Sequence, residues 1–262
     1  MPIVLTGDVH HRIPSADRGH ARESESELAV EFARIAGRHG LKVTLLFTGL
    51  ALRDDAEDAR PLLEIDTVEI GGHGWDAFHP RWLYRPLARV SGSQHGFRQW
   101  QRRGIARTCA EVERFTGRPV RSWRDHAYIH DEHTAGLLAE AGIVAWSDDV
   151  DPQRAHPYVL EPDLVVLPVN TLPDHENVYH GDRTPESLGD VPAVTPDEWR
   201  RRVVEDVERV RAEGGVATIL VHPLCMKVAD EWETFEALCA DLAPYSSLFA
   251  AEAAQEHRLR HR

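Results

Sequence analysis

The feature of this sequence that most limits its fold is a regular alternation of strand-like and helix-like segments. The strand-like segments are short and rich in apolar and β-branched residues, and each is followed by a polar cluster and then by a helical pattern. Alternation of this kind predicts an α/β protein with a parallel sheet and crossover helices. The seven strand-like segments span residues 3–6, 42–48, 67–70, 120–123, 142–146, 164–169 and 216–221.

The length of the chain indicates one domain. A chain of 262 residues has the size of a single α/β barrel. We therefore expect residues 1–262 to form a single-domain, distorted (β/α) barrel of about seven parallel strands, with a frayed tail from about residue 256. Amphipathic patterns predict helices over residues 97–115 and 230–242, whereas turn residues predict irregular structure over residues 81–94.

Charge and hydropathy argue against two classes of partner, nucleic acids and membranes. The formal net charge is −13, and no run of Lys and Arg is long enough to follow a phosphate backbone, so nucleic acid is disfavoured. No segment approaches the roughly 18 apolar residues that a membrane span requires. The first strand-like segment follows Met1 almost directly, without the pattern of a signal peptide. We expect a cytoplasmic protein that acts on a small molecule or an oligosaccharide.

The cysteine pattern limits the type of metal site that the sequence predicts. The three cysteines, Cys109, Cys225 and Cys239, are scattered without C-x-x-C spacing. This pattern argues against a disulfide framework and against a thiolate zinc site. We therefore expect any metal ion to be held by histidines and carboxylates.

Side chains that can bind a metal ion or transfer a proton come just after five of the predicted strands. The carboxyl ends of parallel strands meet at one edge, where (β/α) barrels collect their active-site residues, so a shared site is expected. His73 and His79, six residues apart, can reach one ion only if the loop between them curls back. The side chains at the five strand ends are Asp8 with His10, His73 with His79, Arg124, Asp149 and His222.

Structural roles are also open to these residues. Arg124 could form a surface ion pair, and Asp149 could belong to a turn. His222 could be a satisfied histidine at the edge of the core. The polar segment of residues 170–190 could be a solvated loop, or it could fold over the strand ends and select the substrate.

Five short motifs resemble, in their order and spacing, those of the polysaccharide deacetylases. These are carbohydrate esterases that share the chitooligosaccharide deacetylase homology domain, and the resemblance spans nearly the whole chain. Three departures indicate an atypical branch. Val9 or His10 replaces the second acid of the first motif, Ala77 replaces the second histidine of the second motif, and His126 replaces a proline of the third. The five motifs are Thr6–His10, His73–His79, Trp123–His126, Trp146–Asp149 and Leu220–Pro223.

The resemblance implies catalytic roles for four residues. Asp8 would be the general base, and Arg124 would pair with it and hold it. His222 would be the general acid that protonates the leaving group. Asp149 would orient His222.

The resemblance also implies a metal ion. A divalent ion, most plausibly zinc by ligand type, would be held by His73, His79 and a group from the first motif, either His10 or Asp8, with His10 as the first candidate. The activity that follows is metal-dependent hydrolysis of a carbon–nitrogen bond, with deacetylation of an N-acetylated sugar or a related small molecule as first choice. Hydrolysis of a small cyclic or linear amide is an alternative, and a metal-free sugar-binding pseudoenzyme is another. The candidate substrate-binding residues are Trp75, His126, His175, Glu176 and His180.

Overall fold

One curled sheet organises the protein. The computed structural model describes residues 2–14, 17, 19–189 and 192–260. Nine strands in these residues join a single sheet, in the order β6-β7-β5-β4-β3-β2-β1-β8, with β9 paired to β1. The strands are β1 (Pro2–Val9), β2 (Val43–Phe47), β3 (Val68–Gly72), β4 (Ser122–Trp123), β5 (Ala145–Trp146), β6 (Tyr158–Glu161), β7 (Leu164–Val166), β8 (Ala217–Leu220) and β9 (Ser246–Ser247).

The direction of the strands confirms the predicted fold class. Every pair of neighbouring strands is parallel except β6 with β7. In the described part of the chain the end strands β6 and β8 are not paired with each other, so the sheet forms a half-barrel. The protein is therefore an α/β protein with a distorted (β/α) barrel, as the alternation of segments predicts.

Helices follow most of the strands. None of those in the described residues combines the length and the apolar character that crossing a membrane requires. The helices are α1 (Glu25–Arg38), α2 (Gly49–Asp54), α3 (Ala56–Ala59), α4 (Arg81–Ser91), α5 (Arg98–Thr116), α6 (Thr134–Glu140), α7 (Pro185–Leu188), α8 (Pro196–Ala212), α9 (Pro223–Asp230), α10 (Glu233–Leu242) and α11 (Ala250–Arg260), with short 3₁₀ helices at Arg60–Glu64 and His126–Tyr128.

Three regions differ from the local expectations. The region expected to be irregular contains α4, because the turn residues that predicted irregular structure lie inside this helix, at Pro86, or at its end, at Ser91 and Gly92. The expected helix over residues 230–242 is interrupted by left-handed backbone at Glu231 and Trp232, where α9 ends and α10 begins. The tail expected to fray is helical as far as Arg260, and residues 261–262 lie outside the described residues.

The outer helices pack against the sheet through apolar stripes. Phe32 of α1 stacks on Phe235 of α10 with ring centroids 4.0 Å apart, and both rings are fully buried. Burying one such side chain contributes roughly 1.5–3 kcal/mol, so the packing fixes helices and strands together. The buried stripe of α8 consists of Trp199, Val203, Val207 and Val210.

Strand register brings the first polar residues after three strands to the same height. Val9, Gly72 and Trp123, at the ends of β1, β3 and β4, lie in one row across the sheet, linked through Phe47 of β2. Gly72 is required there, because a Cβ atom would lie only 2.3 Å from the Trp123 ring. The next residues along these strands, which leave the sheet together, are His10, His73 and Arg124.

Candidate active site

A buried ion pair between Asp8 and Arg124 lies at this edge of the sheet. Nη1 of Arg124 donates to Oδ1 of Asp8 at 2.8 Å, and both side chains are almost completely buried. Arg124 also donates to Ser147, from Nε to the carbonyl oxygen at 2.7 Å and from Nη2 to Oγ at 2.8 Å. Burial by itself raises the pKa of Asp8, but Arg124 and the neighbouring histidines hold that pKa well below its usual range. Asp8 is therefore a fixed anion.

His73 presents an unused nitrogen atom to Asp8. Its Nδ1 donates to the carbonyl oxygen of Arg124 at 3.0 Å, so Nε2 carries the lone pair. Nε2 is buried, has no hydrogen-bond partner in the described residues, and lies 3.7 Å from Oδ2 of Asp8. Burial lowers the pKa of His73 to about 3, so the imidazole is neutral at ordinary pH. Neutral imidazole is the form of histidine that binds metal ions.

His10 and His126 join His73 in a group of three imidazoles. Nδ1 of His10 lies 3.0 Å from Oε2 of Glu25, which also accepts the backbone N–H of His10 at 2.8 Å. The other ring nitrogen of His10, Nε2, lies 3.2 Å from Nδ1 of His126. Burial lowers the pKa of His126 to about 2, which keeps this ring neutral as well. One nitrogen atom from each of the three rings lies within 4.8 Å of the other two.

The separation between two of these nitrogens fits a divalent metal ion, and the third nitrogen lies within 4.8 Å of both. Metal–nitrogen bonds of ~2.0–2.1 Å at tetrahedral angles place two ligand nitrogens about 3.3 Å apart. The separation between His10 and His126 is 3.2 Å. Glu25 behind His10 and the Arg124 carbonyl behind His73 are the kind of outer partners that orient metal-binding imidazoles. A divalent ion bound here would give the unpartnered Nε2 of His73 a partner.

His222 approaches the same carboxylate from the other side. Its Nε2 lies 3.9 Å from Oδ2 of Asp8. Its Nδ1 donates to Oδ1 of the buried Asp174 at 2.7 Å, and its backbone N–H donates to Oδ2 of Asp174 at 2.6 Å. Burial by itself lowers the pKa of His222, but the hydrogen-bonded Asp174 carboxylate, followed by Asp8, raises it to about 9. His222 is therefore protonated at neutral pH.

His79 lies away from the three imidazoles, in contrast to the expected ligand set. The backbone at Ala77 and Phe78 is left-handed, with φ of 48° and 58°, and turns the loop outward. Nδ1 of His79 bonds to the carbonyl oxygen of Ala77 at 2.9 Å, and its ring lies 6.3 Å from that of His11. The position expected for His79 is taken by His126, because β3 and β4 are adjacent strands and their ends converge.

Asp149 does not contact His222, so this expected pair is corrected. Asp149 accepts a hydrogen bond from the Tyr158 hydroxyl at 3.1 Å and lies near Arg154. Asp174 takes its place because the segment that follows β7 runs beside β8. Asn170 at the start of that segment accepts from the backbone N–H of Thr218 at 2.9 Å and donates to the carbonyl oxygen of Val216 at 3.0 Å.

An aromatic cleft opens beside His73 and His126. Its volume is about 330 Å³, close to the lower end of small-molecule sites. Trp75, one of the predicted substrate-binding residues, lines it, and the Arg107 guanidinium lies 3.7 Å from the Trp75 ring centroid. The other aromatic walls are Phe78, Tyr84 and Trp100.

His126, also predicted to bind substrate, lines the cleft as well, whereas the other three predicted substrate-binding residues lie on the far side of His222. The His175 ring is 5.2 Å from the His222 ring, and His180 is buried behind it. Glu176, which lies between these two histidines in the sequence, is exposed at the surface. None of these three lines the aromatic cleft of the described residues.

Sequence reasoning gave no catalytic or metal-binding role to Glu25, Asp174 or His126. Glu25 lies in a capping segment, which is its obvious local explanation. Asp174 belongs to the polar segment after β7, and a signal existed there because acidic and imidazole groups cluster in a long loop. His126 replaces the proline of the third motif, and that departure was the signal for a third imidazole.

Comparison with known proteins defines the class of fold. The sequence matches no protein-family model and no curated protein. Solved structures, however, show that the chain has the fold of the polysaccharide deacetylases. This confirms the resemblance at the level of the fold, because sequence identities below 20% carry no further conclusion.

Three crystal structures illustrate the similarity. A putative polysaccharide deacetylase from Mycobacterium smegmatis has a TM-score of 0.77 and 18% identity, over 99% of this chain and 91% of that one. A probable polysaccharide deacetylase from Pseudomonas aeruginosa has a TM-score of 0.71 and 14% identity, over 100% and 91% of the two chains. Puue allantoinase has a TM-score of 0.71 and 12% identity, over 99% and 91%.

Proposed function

We propose that this protein is a metal-dependent hydrolase of a carbon–nitrogen bond, and that its first-choice reaction is deacetylation of an N-acetylated sugar or a related small molecule. The observation that carries the proposal is the opposed pair Asp8 and His222. Oδ2 of the anionic Asp8 lies 3.9 Å from Nε2 of the protonated His222. Amide hydrolysis requires a base that removes a proton from the attacking water and an acid that protonates the leaving amine.

Three imidazoles would hold the metal ion. His10, His73 and His126 supply nitrogen ligands at suitable spacing, and zinc is favoured by this ligand type. A bound divalent ion supplies Lewis-acid polarisation of the scissile carbonyl. Burial keeps the rings of His73 and His126 neutral, so protons do not compete for these two ligand nitrogens near neutral pH.

Asp8 would accept the proton of the attacking water. Arg124 occupies Oδ1 and directs Oδ2 toward His73 and His222, so the free oxygen faces the place where water and substrate would meet. The low pKa of Asp8 secures its ionised form, but it also makes the carboxylate a weak base. Asp8 is therefore suited to accept a proton from a water molecule whose pKa the site has lowered.

His222 would donate a proton to the departing amine. An amide nitrogen leaves readily only when it is protonated, because the free amide anion is a very poor leaving group. The ring of His222 is charged at neutral pH, and Asp174 fixes its orientation through two hydrogen bonds. The proton that Asp8 gains and the proton that His222 gives up are then balanced by exchange with solvent.

The cleft favours a small substrate. A volume of about 330 Å³ accommodates a compact ligand, such as one acylated sugar unit, rather than several units of a polymer. Apolar faces such as Trp75 would contact the ring of the ligand, and Arg107 and Asp76 supply polar groups. Hydrolysis of a small cyclic or linear amide is the second candidate, because Puue allantoinase has a similar fold and this cleft has a compatible size.

The test uses protein purified without a histidine tag, stripped with a chelator and reloaded with zinc. Acetate or amine release is measured on a panel of N-acetylated monosaccharides, N-acetylated oligosaccharides and small cyclic amides. We expect zinc-dependent release from at least one small N-acyl compound, and its loss in Asp8→Asn. Zinc binding or sugar binding without turnover on any compound would contradict the proposal and favour a sugar-binding pseudoenzyme.

A further inference from the structure

A second cluster of metal-ligand side chains lies behind His222, apart from the three imidazoles of the proposed active site. Three segments that are distant in sequence contribute to it. Asp17 comes from the connection between β1 and α1, His175 and His180 from the segment between β7 and α7, and Cys225 from the first turn of α9. The proposed hydrolysis uses none of these four side chains.

The distances within this cluster resemble the edges of a tetrahedral zinc site. Sγ of Cys225 lies 3.3 Å from Nδ1 of His175 and 3.6 Å from Nε2 of His180. Nε2 of His180 lies 3.8 Å from Oδ1 of Asp17. With Zn–S bonds of ~2.3 Å and Zn–N or Zn–O bonds of ~2.0–2.2 Å, tetrahedral angles give ligand separations of about 3.4–3.6 Å. The ligand atoms of His175, His180 and Cys225 lie within 4.8 Å of one another, so small adjustments of these side chains would accommodate an ion, with the Asp17 carboxylate beside His180.

Asp17 provides an independent indication of a ligand. Its side chain is only 1% exposed, and neither Oδ1 nor Oδ2 has a hydrogen-bond partner in the described residues. A buried carboxylate without donors is strongly unfavourable, and a cation removes this penalty. A weak hydrogen bond between a thiol and an imidazole would explain the contact of Cys225 with His175, but it leaves both oxygens of Asp17 without a partner.

The histidines are in a suitable state for binding. Nδ1 of His180 bonds to the carbonyl oxygen of Val178 at 2.8 Å, which leaves its Nε2 lone pair facing Cys225 and Asp17. Burial lowers the pKa of His175 to about 2, so its ring is neutral. Burial raises the pKa of the Cys225 thiol and of the Asp17 carboxyl, so both would lose a proton when a metal ion binds. The thiolate and the carboxylate formed in this way would balance the two positive charges of a divalent ion.

We propose that His175, His180 and Cys225 form a second metal site that binds zinc, with the neighbouring Asp17 carboxylate as the remaining anionic partner of the ion. A thiolate with two imidazoles selects zinc over magnesium or calcium, which prefer oxygen ligands. The site joins the segment after β7 to the start of α9. It thereby fixes Asp174, the residue before His175, against His222.

Cysteine spacing could not have indicated this site. The sequence pattern argued against a thiolate ligand because it considers cysteines that are close to one another along the chain. Here a single cysteine is combined with ligands from two other segments, and His175 is 50 residues away from Cys225. The folded structure brings them together.

The decisive experiment is a titration of metal-free, full-length protein with Co²⁺, followed by absorption and by metal content. A cobalt–thiolate bond gives a near-ultraviolet charge-transfer band, whereas a site with only imidazole and carboxylate ligands gives none. We expect two cobalt ions per chain and one thiolate band, and zinc should displace both. Cobalt binding without that band would overturn the second site, and this reading of the unmodified protein does not depend on the folding of any variant.

Variants assign the band to its ligands. Cys225→Ser should abolish the band and reduce the metal content from two ions to one, and His180→Gln should weaken binding at the same site by at least roughly tenfold. Cys239→Ser is the matched control, because this cysteine is also buried but lies in α10 outside the cluster, and it should change neither quantity. A band that persists in Cys225→Ser contradicts the proposal.

The same experiment separates this site from the proposed function. His73→Ala should remove the ion without the thiolate band and leave the band intact. A thiolate band without hydrolysis of any compound would support the second site and contradict the proposed reaction. Hydrolysis of a compound without a thiolate band would support the proposed reaction and contradict the second site.

Discussion

Replacement of Asp174 by asparagine should shift the alkaline limb of the pH–activity profile from near pH 9 to lower pH. The Asp174 carboxylate is the main cause that raises the pKa of His222 from 6.5 to about 9 against the opposing effect of burial. At roughly 1.4 kcal/mol per unit, this shift corresponds to about 3 kcal/mol in favour of the charged ring. In Asp174→Asn the burial remains and the Asp174 charge is lost, while Asp8 and Glu176 still raise the pKa of His222, so this pKa should fall toward the ordinary histidine value of 6.5.

The size of the effect on rate follows from the protonated fraction. At pH 8, a group with a pKa of about 9 is roughly 90% protonated, whereas one with a pKa of about 6.5 is roughly 3% protonated. We therefore expect kcat/KM at pH 8 to fall by up to roughly thirtyfold for an N-acetyl substrate. An activated ester, whose leaving group needs no proton, should be much less affected.

The assay is the pH dependence of kcat/KM for both types of substrate, with zinc content measured in each preparation. Asp149→Asn is the matched control, because the structure places that carboxylate against Tyr158 rather than His222. Its pH profile should equal that of the parent. An unshifted alkaline limb in Asp174→Asn, or a shifted one in Asp149→Asn, would refute the assignment.

The same pair of proteins gives a prediction for stability. Because the pKa of His222 is raised on folding, its contribution is complete below about pH 6.5 and is lost as the pH rises through about 9. The difference in unfolding free energy between the parent and Asp174→Asn should therefore be largest at the acid end of this window. Urea unfolding at several pH values measures it, and a difference that grows with pH would contradict the sign.

Three further predictions follow from the site. Asp8→Asn should lower kcat/KM by at least roughly a hundredfold with near-normal zinc content, and a parallel loss of zinc would make Asp8 a ligand instead of the base. His126→Ala should weaken zinc binding in equilibrium dialysis while His79→Ala does not, and equal losses would restore His79 to the ligand set. Burial lowers the pKa of His73 to about 3, so the free energy of unfolding should decrease as the pH falls from about 6.5 toward 3. Urea unfolding at several acid pH values measures this decrease, which should be smaller in His73→Ala.

The sequence was sufficient for residues that leave a strand directly. Asp8, His10, His73 and Arg124 lie within or next to β1, β3 and β4, so the register of parallel strands fixes where their side chains begin. Apolar strands and capped helices in alternation determine this register almost completely. For this reason the fold and these four strand-end residues could be predicted from local patterns.

Only the tertiary structure decided which of the more distant side chains meet. His79 and Asp149 were plausible partners by sequence, but a left-handed turn moves the first outward and Tyr158 binds the second. Their places are taken by His126, which is 116 residues away from His10, and by Asp174, which is 48 residues away from His222.

The physical reason lies in how positions are determined. Within a sheet, hydrogen bonds repeat from residue to residue, so position follows from local sequence. In loops, position depends on single backbone turns and on contacts with segments far along the chain, such as the bonds from Asn170 that hold the segment after β7 beside β8. Sequence therefore determined the types of groups at this edge of the sheet, and the folded chain determined their pairing.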